Sequence, residues 1–394
     1  MKSHWEYING ALCLSSQQKN LIDFCESFDG PFYLYDLKLL NYRIELMQKN
    51  LSSVEIFYAM KANAHPQILN LMASRGLGAD VVSLGEIEAA MKAGFAPDKI
   101  IYSGVAKTVR ELEKSIQFGI RQINVESIPE LERLIQICLR LNKPMNVALR
   151  LNPDIDIQTH PYIATGLRDN KFGIELTMLE QALQLIRQQT LVKLSGISLH
   201  LGSQMHQLEP FKEALLKLKP IFLKLQKEFG SQAFDIGGGL GIFYDHTDLA
   251  KEESLLEKYS EIVQTVFSDI QVQLQTEPGR FLVAHCGYLI SQVQYIKQTS
   301  YKTFLILDTG MNHLMRPALY ESYHQILPLK LSQNQKTYDI VGPICESADF
   351  LGKERIISEV QQGDYVAILD TGAYGRSMAN EYNLQPMPEE IIVD

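Results

Sequence analysis

The chain has 394 residues, 46% hydrophobic and 21% charged, with a formal net charge of −9. This is ordinary for a globular protein with a large core, and the negative balance argues against nucleic acid or an anionic membrane as partner. Five scattered cysteines (Cys13, Cys25, Cys138, Cys286 and Cys345) without CxxC spacing suggest neither a disulfide framework nor a metal site, which fits a reducing cytoplasm.

The first twenty residues are polar, and no run approaches the roughly 18 apolar residues of a membrane span, so neither export nor insertion is expected. The segment before Leu37 includes a strand candidate, Pro31-Phe-Tyr-Leu-Tyr35. From about Leu37 to Thr276 short apolar runs alternate with amphipathic segments, the pattern of βα units and a parallel sheet. Runs near 55–60, 78–82, 99–103, 121–125, 145–151, 193–200, 233–236 and 271–276 give eight strands, and eight close a barrel. Helical spacing marks Glu86–Ala93, Val109–Phe118 and Ile128–Leu141. The insertion Pro153–Phe172 is too long for a plain βα loop and is expected to be functional. After Glu277 come β-branched and aromatic runs at Tyr288–Lys297, Thr303–Asp308, Ile326–Lys330, Thr337–Val341 and Tyr365–Asp370, which read as an antiparallel β domain that Pro31–Tyr35 joins. The expected fold is α/β plus all-β: a (β/α)8 TIM-type barrel over 37–280, and an antiparallel β domain from 1–36 plus 281–394.

Chemistry-capable residues fall just after the barrel runs: Lys61, Asp80 with Ser83, Ser103, Glu126, Arg150 with Asn152, His200, a glycine cluster, and Glu277. Barrel enzymes build their sites on those strand ends, so the placement reads as one assembled active site. Gly237-Gly238-Gly239-Leu240-Gly241 after strand seven, with Glu277-Pro278-Gly279-Arg280 after strand eight, suits a phosphate held by backbone N–H groups, although tight turns use the same glycines. Lys61, between Ala59-Met60 and Ala62-Asn63, is placed among apolar neighbours that favour a nucleophilic, Schiff-base-forming amine; the alternative is a lysine snorkelling from a strand end. A phosphate site plus an inward lysine points to pyridoxal 5′-phosphate, whose pyridine nitrogen Glu277 would keep protonated. His200 suits the ring face or a structural role, and Ser203 after it can donate to phosphate.

The motifs Tyr58-Ala-Met-Lys-Ala-Asn63, His200-Leu-Gly-Ser-Gln204, Gly237–Gly241, Glu277-Pro-Gly-Arg280, Arg316-Pro-Ala-Leu-Tyr320, Cys345-Glu-Ser-Ala-Asp349 and Gly372-Ala-Tyr-Gly375 occur in order over nearly the whole chain. Together with His160-Pro-Tyr-Ile-Ala-Thr-Gly166 and Lys171-Phe-Gly-Ile174 they resemble the diaminopimelate decarboxylases, alanine-racemase-like enzymes of pyridoxal-phosphate fold type III. The resemblance implies Lys61 as Schiff-base lysine, His200 stacked on the cofactor ring and Glu277 on its nitrogen, all with catalytic roles. It implies Ser203, Gly238, Gly239, Gly241, Gly279, Arg280 and Tyr374 as cofactor contacts, and Arg280, Arg316, Tyr320 and Tyr374 as substrate contacts. It further implies a homodimer whose second subunit supplies Cys345, protonating the carbanion, and Glu346, holding the distal ammonium. The implied reaction turns meso-2,6-diaminopimelate into L-lysine and carbon dioxide, the last step of lysine biosynthesis.

Arg316 before a proline also suits a surface arginine, and Cys345 a small buried hydrophobe. Arg376 and Glu321 replace the apolar and small residues usual beside these motifs, and the strand and basic helix that usually follow the Val393-Asp394 equivalent are missing. The rival readings are a sister decarboxylase acting on ornithine, arginine, carboxynorspermidine or a carrier-linked amino acid, a racemase on the same fold, and a non-catalytic regulator.

Overall fold

The computed structural model describes residues 3–155, 170–245 and 249–394. The chain divides into two compact units, one of Leu46–Gly241 with Ser254–Gly279, the other of Met1–Glu45, Ile242–Glu253 and Arg280–Asp394.

In the first unit eight parallel strands run in the order Val54–Ala59, Gly78–Val81, Ile100–Tyr102, Gln122–Val125, Met145–Asn152, Val192–Ser198, Ala233–Asp235 and Gln273–Thr276. The last pairs with the first, Leu274 opposite Val54, and this closes the expected barrel. A two-residue strand, Ile174–Glu175, extends the ladder beside Leu151 and Asn152. The strands are almost fully buried, as in a sheet covered on both faces, and mix apolar residues with buried polar ones such as Gln122, Asn124 and Gln275.

The helices begin where short polar side chains can satisfy the first backbone N–H groups. Ser83 accepts from Glu86 N and opens Leu84–Lys92, two residues earlier than periodicity alone places it. Thr108 and Glu111 form a reciprocal capping box on Val109–Phe118, and Gly119 ends that helix in the left-handed conformation (φ 68°). Ser127 accepts from Glu130 N and opens Ile128–Leu141, which Asn142 ends in the left-handed conformation. Ser83 is thus spent on a helix start, which removes it from the candidate chemistry. Residues 156–169 of the long insertion, including the His160–Gly166 motif, lie outside the described residues.

The second unit is built on the strand Gly287–Gln298, long enough to serve several neighbours. Its first half pairs antiparallel with Tyr365–Ile368 on one side and Phe32–Asp36 on the other, and its second half with Thr303–Leu307. Phe32–Asp36 confirms the early strand candidate. Most pairings are antiparallel, as expected, but Glu389–Val393 runs parallel to Phe32–Asp36 and Thr303–Leu307 parallel to Gln335–Val341. Two strands of this sheet escaped the sequence reading. Phe350–Ser358 carries Lys353-Glu354-Arg355 in mid-strand, and Glu389–Val393 opens on two glutamates.

The core of this unit collects Leu12, Leu14, Phe32, Leu34, Tyr288, Ile290, Leu329 and Leu369, each contributing about 1.5–3 kcal/mol by burial for the larger aliphatic and aromatic side chains. Beside it lies a buried polar network. His285 contacts Asp370 through Nδ1 (2.6 Å) and Glu252 through Nε2 (2.8 Å), Arg43 pairs with Glu252 (2.8 Å), and His4 Nε2 lies 2.9 Å from Asp370. Despite burial, the two carboxylates raise His285 to about 10, so it is an imidazolium. His4, desolvated by burial, is held below its usual value. His4, His285 and Asp370 have metal-ligand chemistry, but hydrogen-bond separations around a charged imidazolium describe a proton-bearing ion network.

Candidate active site

The barrel unit gathers its ionisable side chains at the C-terminal ends of the strands. Strand one runs into a tight 3-10 turn, Met60–Ala62, whose first and last residues are buried, while the middle residue, Lys61, has its side chain 37% exposed. Its Nζ lies 3.9 Å from Asp80 Oδ2 at the end of strand two. The apolar surroundings expected for Lys61 are therefore corrected: its neighbour across the strands is a carboxyl group. Asp80 is buried, and burial followed by the Glu277 charge raises it to about 7 against the opposing influence of Lys61.

Glu277 ends strand eight and is also buried. Its Oε1 accepts from Ser103 Oγ at 3.4 Å and from Asn124 Nδ2 at 3.3 Å. Burial, then Asp235, pushes it well above the carboxylate range, while Lys61 and Arg150 pull it back. Asp235, on strand seven, is itself raised by burial to about 6. Three buried carboxyl groups at one end of the barrel favour a bound proton or a cationic ligand there.

His200 follows strand six. Gly238 N donates to its Nδ1 at 3.3 Å, which places the ring hydrogen on Nε2. Burial, then Lys61 and Arg150, lowers its pKa well below the ordinary value, so the imidazole is neutral. The glycine loop approaches the neighbouring loops more closely than any side chain permits. A Cβ at Gly239 (φ 98°) would lie 2.2 Å from Gly202 O, and one at Gly238 would lie 2.0 Å from Glu277 O. Met205 N donates to Gly239 O (2.9 Å) and Gly241 N to Met205 O (3.0 Å), tying the half-buried Ser203 segment to this loop. Gly279 packs on Ala59 and Ala62, against the turn that carries Lys61. Lys61, His200, Ser203, Gly238, Gly239, Gly241, Glu277 and Gly279 therefore share one end of the barrel.

Arg150 donates to Glu126 Oε1 (2.7 Å), whose oxygens also accept from Gly104 N (3.1 Å) and Gly173 N (2.9 Å). Glu126 is thus a brace between loops. Asn152 is similarly spent on Phe172 O and Asp154 N.

The second unit holds another polar cluster. Arg280 Nη1 donates to Tyr244 Oη at 2.7 Å, and its guanidinium lies over the Tyr374 ring at 4.9 Å. Arg316, which opens the short helix Arg316–Tyr320, lies over the Tyr244 ring at 4.6 Å and donates through Nη1 to His324 Nε2 (2.8 Å) and through Nη2 to Ser322 Oγ (3.3 Å). Arg280 is 7% and Arg316 4% exposed, which excludes the surface-arginine reading. Two guanidiniums around one tyrosine make a site for an anion, and a planar carboxylate suits it.

Cys345 and Glu346 are exposed. Cys345 N donates to Asn383 Oδ1 (3.0 Å), and Tyr382 Oη donates to Glu346. The other four cysteines are buried, so the small-buried-hydrophobe role falls to them and not to Cys345. The two unusual residues have local explanations. Arg376 Nε lies 3.6 Å from Glu390 on the strand Glu389–Val393, and Glu321 is the left-handed C-cap of Arg316–Tyr320 (φ 52°).

A parallel barrel that carries a lysine, a glutamate, a neutral histidine and a tight glycine loop at one end suits a pyridoxal-dependent enzyme. Residues 37–284 match the family described as pyridoxal-dependent decarboxylase, pyridoxal binding domain. Diaminopimelate decarboxylase of Aquifex aeolicus is 39% identical over 391 residues, covering 99% of this chain and 92% of the relative. A crystal structure of diaminopimelate decarboxylase from Helicobacter pylori complexed with L-lysine superimposes with a TM-score of 0.90 at 36% identity, covering 95% of this chain and 94% of that one. The crystal structure of diaminopimelate decarboxylase from m. jannaschii in co-complex with L-lysine gives a TM-score of 0.90 at 33% identity, covering 99% of this chain and 92% of that one. The chain belongs to the diaminopimelate decarboxylase family.

Sequence reasoning gave no role to Asp235, Asn124, Tyr244 or His324, and none beyond position to Asp80 and Arg150. Asp235, Asn124, Asp80 and Arg150 carry the same strand-end signal as Lys61. Tyr244 and His324 sit outside any strand, three residues past Gly241 and four past Tyr320, where only tertiary structure reveals them.

Proposed function

We propose that this chain is a pyridoxal-phosphate-dependent decarboxylase of meso-2,6-diaminopimelate, releasing L-lysine and carbon dioxide in the last step of lysine biosynthesis. The observation that carries the substrate is Arg316, a buried guanidinium whose hydrogen-bond partners, His324 and Ser322, are both neutral. Such a group calls for an anion, and a substrate with a second carboxylate supplies one, whereas ornithine or arginine would leave it uncompensated.

The residues fit the cofactor. Glu277 is buried with neighbours that press it toward protonation, so a protonated pyridine nitrogen beside it satisfies both groups. The glycine loops that admit no Cβ suit a phosphate. When bound, pyridoxal phosphate supplies the electron sink for the pair left by departing carbon dioxide. Lys61 would hold the cofactor through its amine, and Asp80, 3.9 Å from that nitrogen, would steady its charge whenever it is free and protonated. The neutral His200 would lie against the ring face, where it adds no charge opposing that of the ring. Ser203, Gly238, Gly239, Gly241, Gly279 and Arg280 hold the phosphate side. Arg280, Arg316, Tyr320 and Tyr374 receive the distal carboxylate.

Cys345 and Glu346, exposed in the single chain, complete the site of a second copy in a homodimer: the thiol delivers the proton to the carbon that lost carbon dioxide, and the glutamate holds the distal ammonium. Five free cysteines support a cytoplasmic setting, and no helix among the described residues is long and apolar enough to cross a membrane. The test is the stoichiometry of turnover. Protein loaded with pyridoxal phosphate and given meso-diaminopimelate should form L-lysine and carbon dioxide one for one; carbon dioxide without lysine, or neither product, overturns the reading.

A further inference from the structure

We propose that His324 is a positioning residue that aims Arg316 and so sets the requirement for a second carboxylate on the substrate; this rests on the function proposed above. His324 is fully buried, and both ring nitrogens are committed. Nδ1 lies 2.7 Å from Leu369 O, and a carbonyl oxygen only accepts, so Nδ1 carries the hydrogen and donates. Nε2 is then the bare lone pair, and Arg316 Nη1 donates to it at 2.8 Å. Burial and then the Arg316 charge hold His324 down to about 3, so this tautomer persists at neutral pH.

The choice of residue explains itself physically. A carboxylate in this place would neutralise Arg316 and compete with the substrate for it. A neutral acceptor fixes the guanidinium while leaving its charge for the ligand. The His324 ring also meets Tyr244 edge-on, with centroids 5.0 Å apart, and Tyr244 Oη accepts from Arg280. His324 therefore aligns Arg316 directly and braces the tyrosine that Arg280 engages. With both ring nitrogens taken by Leu369 O and Arg316, it acts through Arg316.

The test compares two variants in the loaded full-length enzyme. His324→Asn keeps a polar group where Nδ1 stands but ends short of Arg316, whereas His324→Gln carries an amide oxygen to the place of Nε2. Calorimetric titration with L-lysine, which retains the distal carboxylate, and with cadaverine, which lacks it, separates carboxylate recognition from the rest of the site. His324→Asn should weaken L-lysine binding about 10- to 100-fold while changing cadaverine less than about threefold. KM for meso-diaminopimelate should rise in parallel with kcat nearly unchanged, and His324→Gln should recover most of the loss. Melting temperatures of both variants report whether the fold is intact. Equal effects on L-lysine and cadaverine, no effect on either, or a loss in kcat alone overturns the proposal. If the unsubstituted enzyme releases no carbon dioxide from meso-diaminopimelate, the functional reading itself has failed; if it does while His324→Asn matches it, only the role of His324 has.

Discussion

Replacing Glu277 by glutamine separates the chemistry of the barrel site from its stability. The amide preserves shape, and its oxygen still accepts from Ser103 and Asn124, the two donors 3.4 and 3.3 Å from Oε1. What disappears is an ionisable group that the fold accommodates at a cost: buried, next to Asp235, and near an Asp80 that it helps raise to about 7. The unloaded variant should therefore melt no lower than the parent, and Asp80 should titrate below its present value. The loaded enzyme should fare differently. A unit charge about 4 Å from a protonated ring nitrogen is worth about 4 kcal/mol at an effective dielectric constant of 20, which corresponds to about 10³-fold in kcat. Carbon dioxide release gives the rate, and scanning calorimetry of loaded and unloaded protein gives the stability. A kcat within threefold of the parent would refute the assignment of Glu277 to the ring nitrogen, and a large fall in unloaded stability would show that its role is structural.

Gly239→Ala places a Cβ 2.2 Å from Gly202 O at a φ of 98°, so the loop must move; pyridoxal-phosphate affinity, followed by fluorescence quenching, should fall at least about tenfold. The His285 network predicts an alkaline loss of stability. His285 is raised from 6.5 to about 10, so its contribution is complete below pH 6.5 and is lost as pH rises through 10, at most about 5 kcal/mol. Glu252, lowered to about 2, contributes above pH 4.5 and loses that contribution as pH falls toward 2. Melting temperatures from pH 6 to 10 should decline for the parent and much less for His285→Gln; parallel profiles would contradict the assignment. Lys61→Ala and Cys345→Ala should each be inactive, yet unfolding and refolding an equal mixture should restore about a quarter of the parent activity, because half the dimers are hybrids with one intact site. No recovery would remove Cys345 from a shared site.

The barrel was legible because its strand-end residues repeat at even spacing and its helices start at short polar caps: Val109–Phe118 and Ile128–Leu141 have the expected bounds. The second unit was less so. Phe350–Ser358 hides behind three central charged residues, and the parallel pairing of Glu389–Val393 with Phe32–Asp36 joins segments more than 350 residues apart, which no local pattern encodes. Within the site, Lys61, His200 and Glu277 came from position and residue type. The Asp80 carboxyl beside Lys61 contradicts the apolar surroundings inferred from sequence neighbours, because successive side chains of a 3-10 turn point about 120° apart: Met60 and Ala62 are buried while Lys61 reaches the end of the next strand. His324 was invisible because its meaning depends on a carbonyl 45 residues away and on the arginine it holds.

Comparing kcat/KM for meso-diaminopimelate, ornithine and arginine at matched loading, with Lys61→Ala as blank, tests the central claim most directly. The account predicts carbon dioxide from meso-diaminopimelate at least about 10³-fold more efficiently than from either substrate that leaves Arg316 unpaired. Equal or better turnover of ornithine or arginine would contradict it.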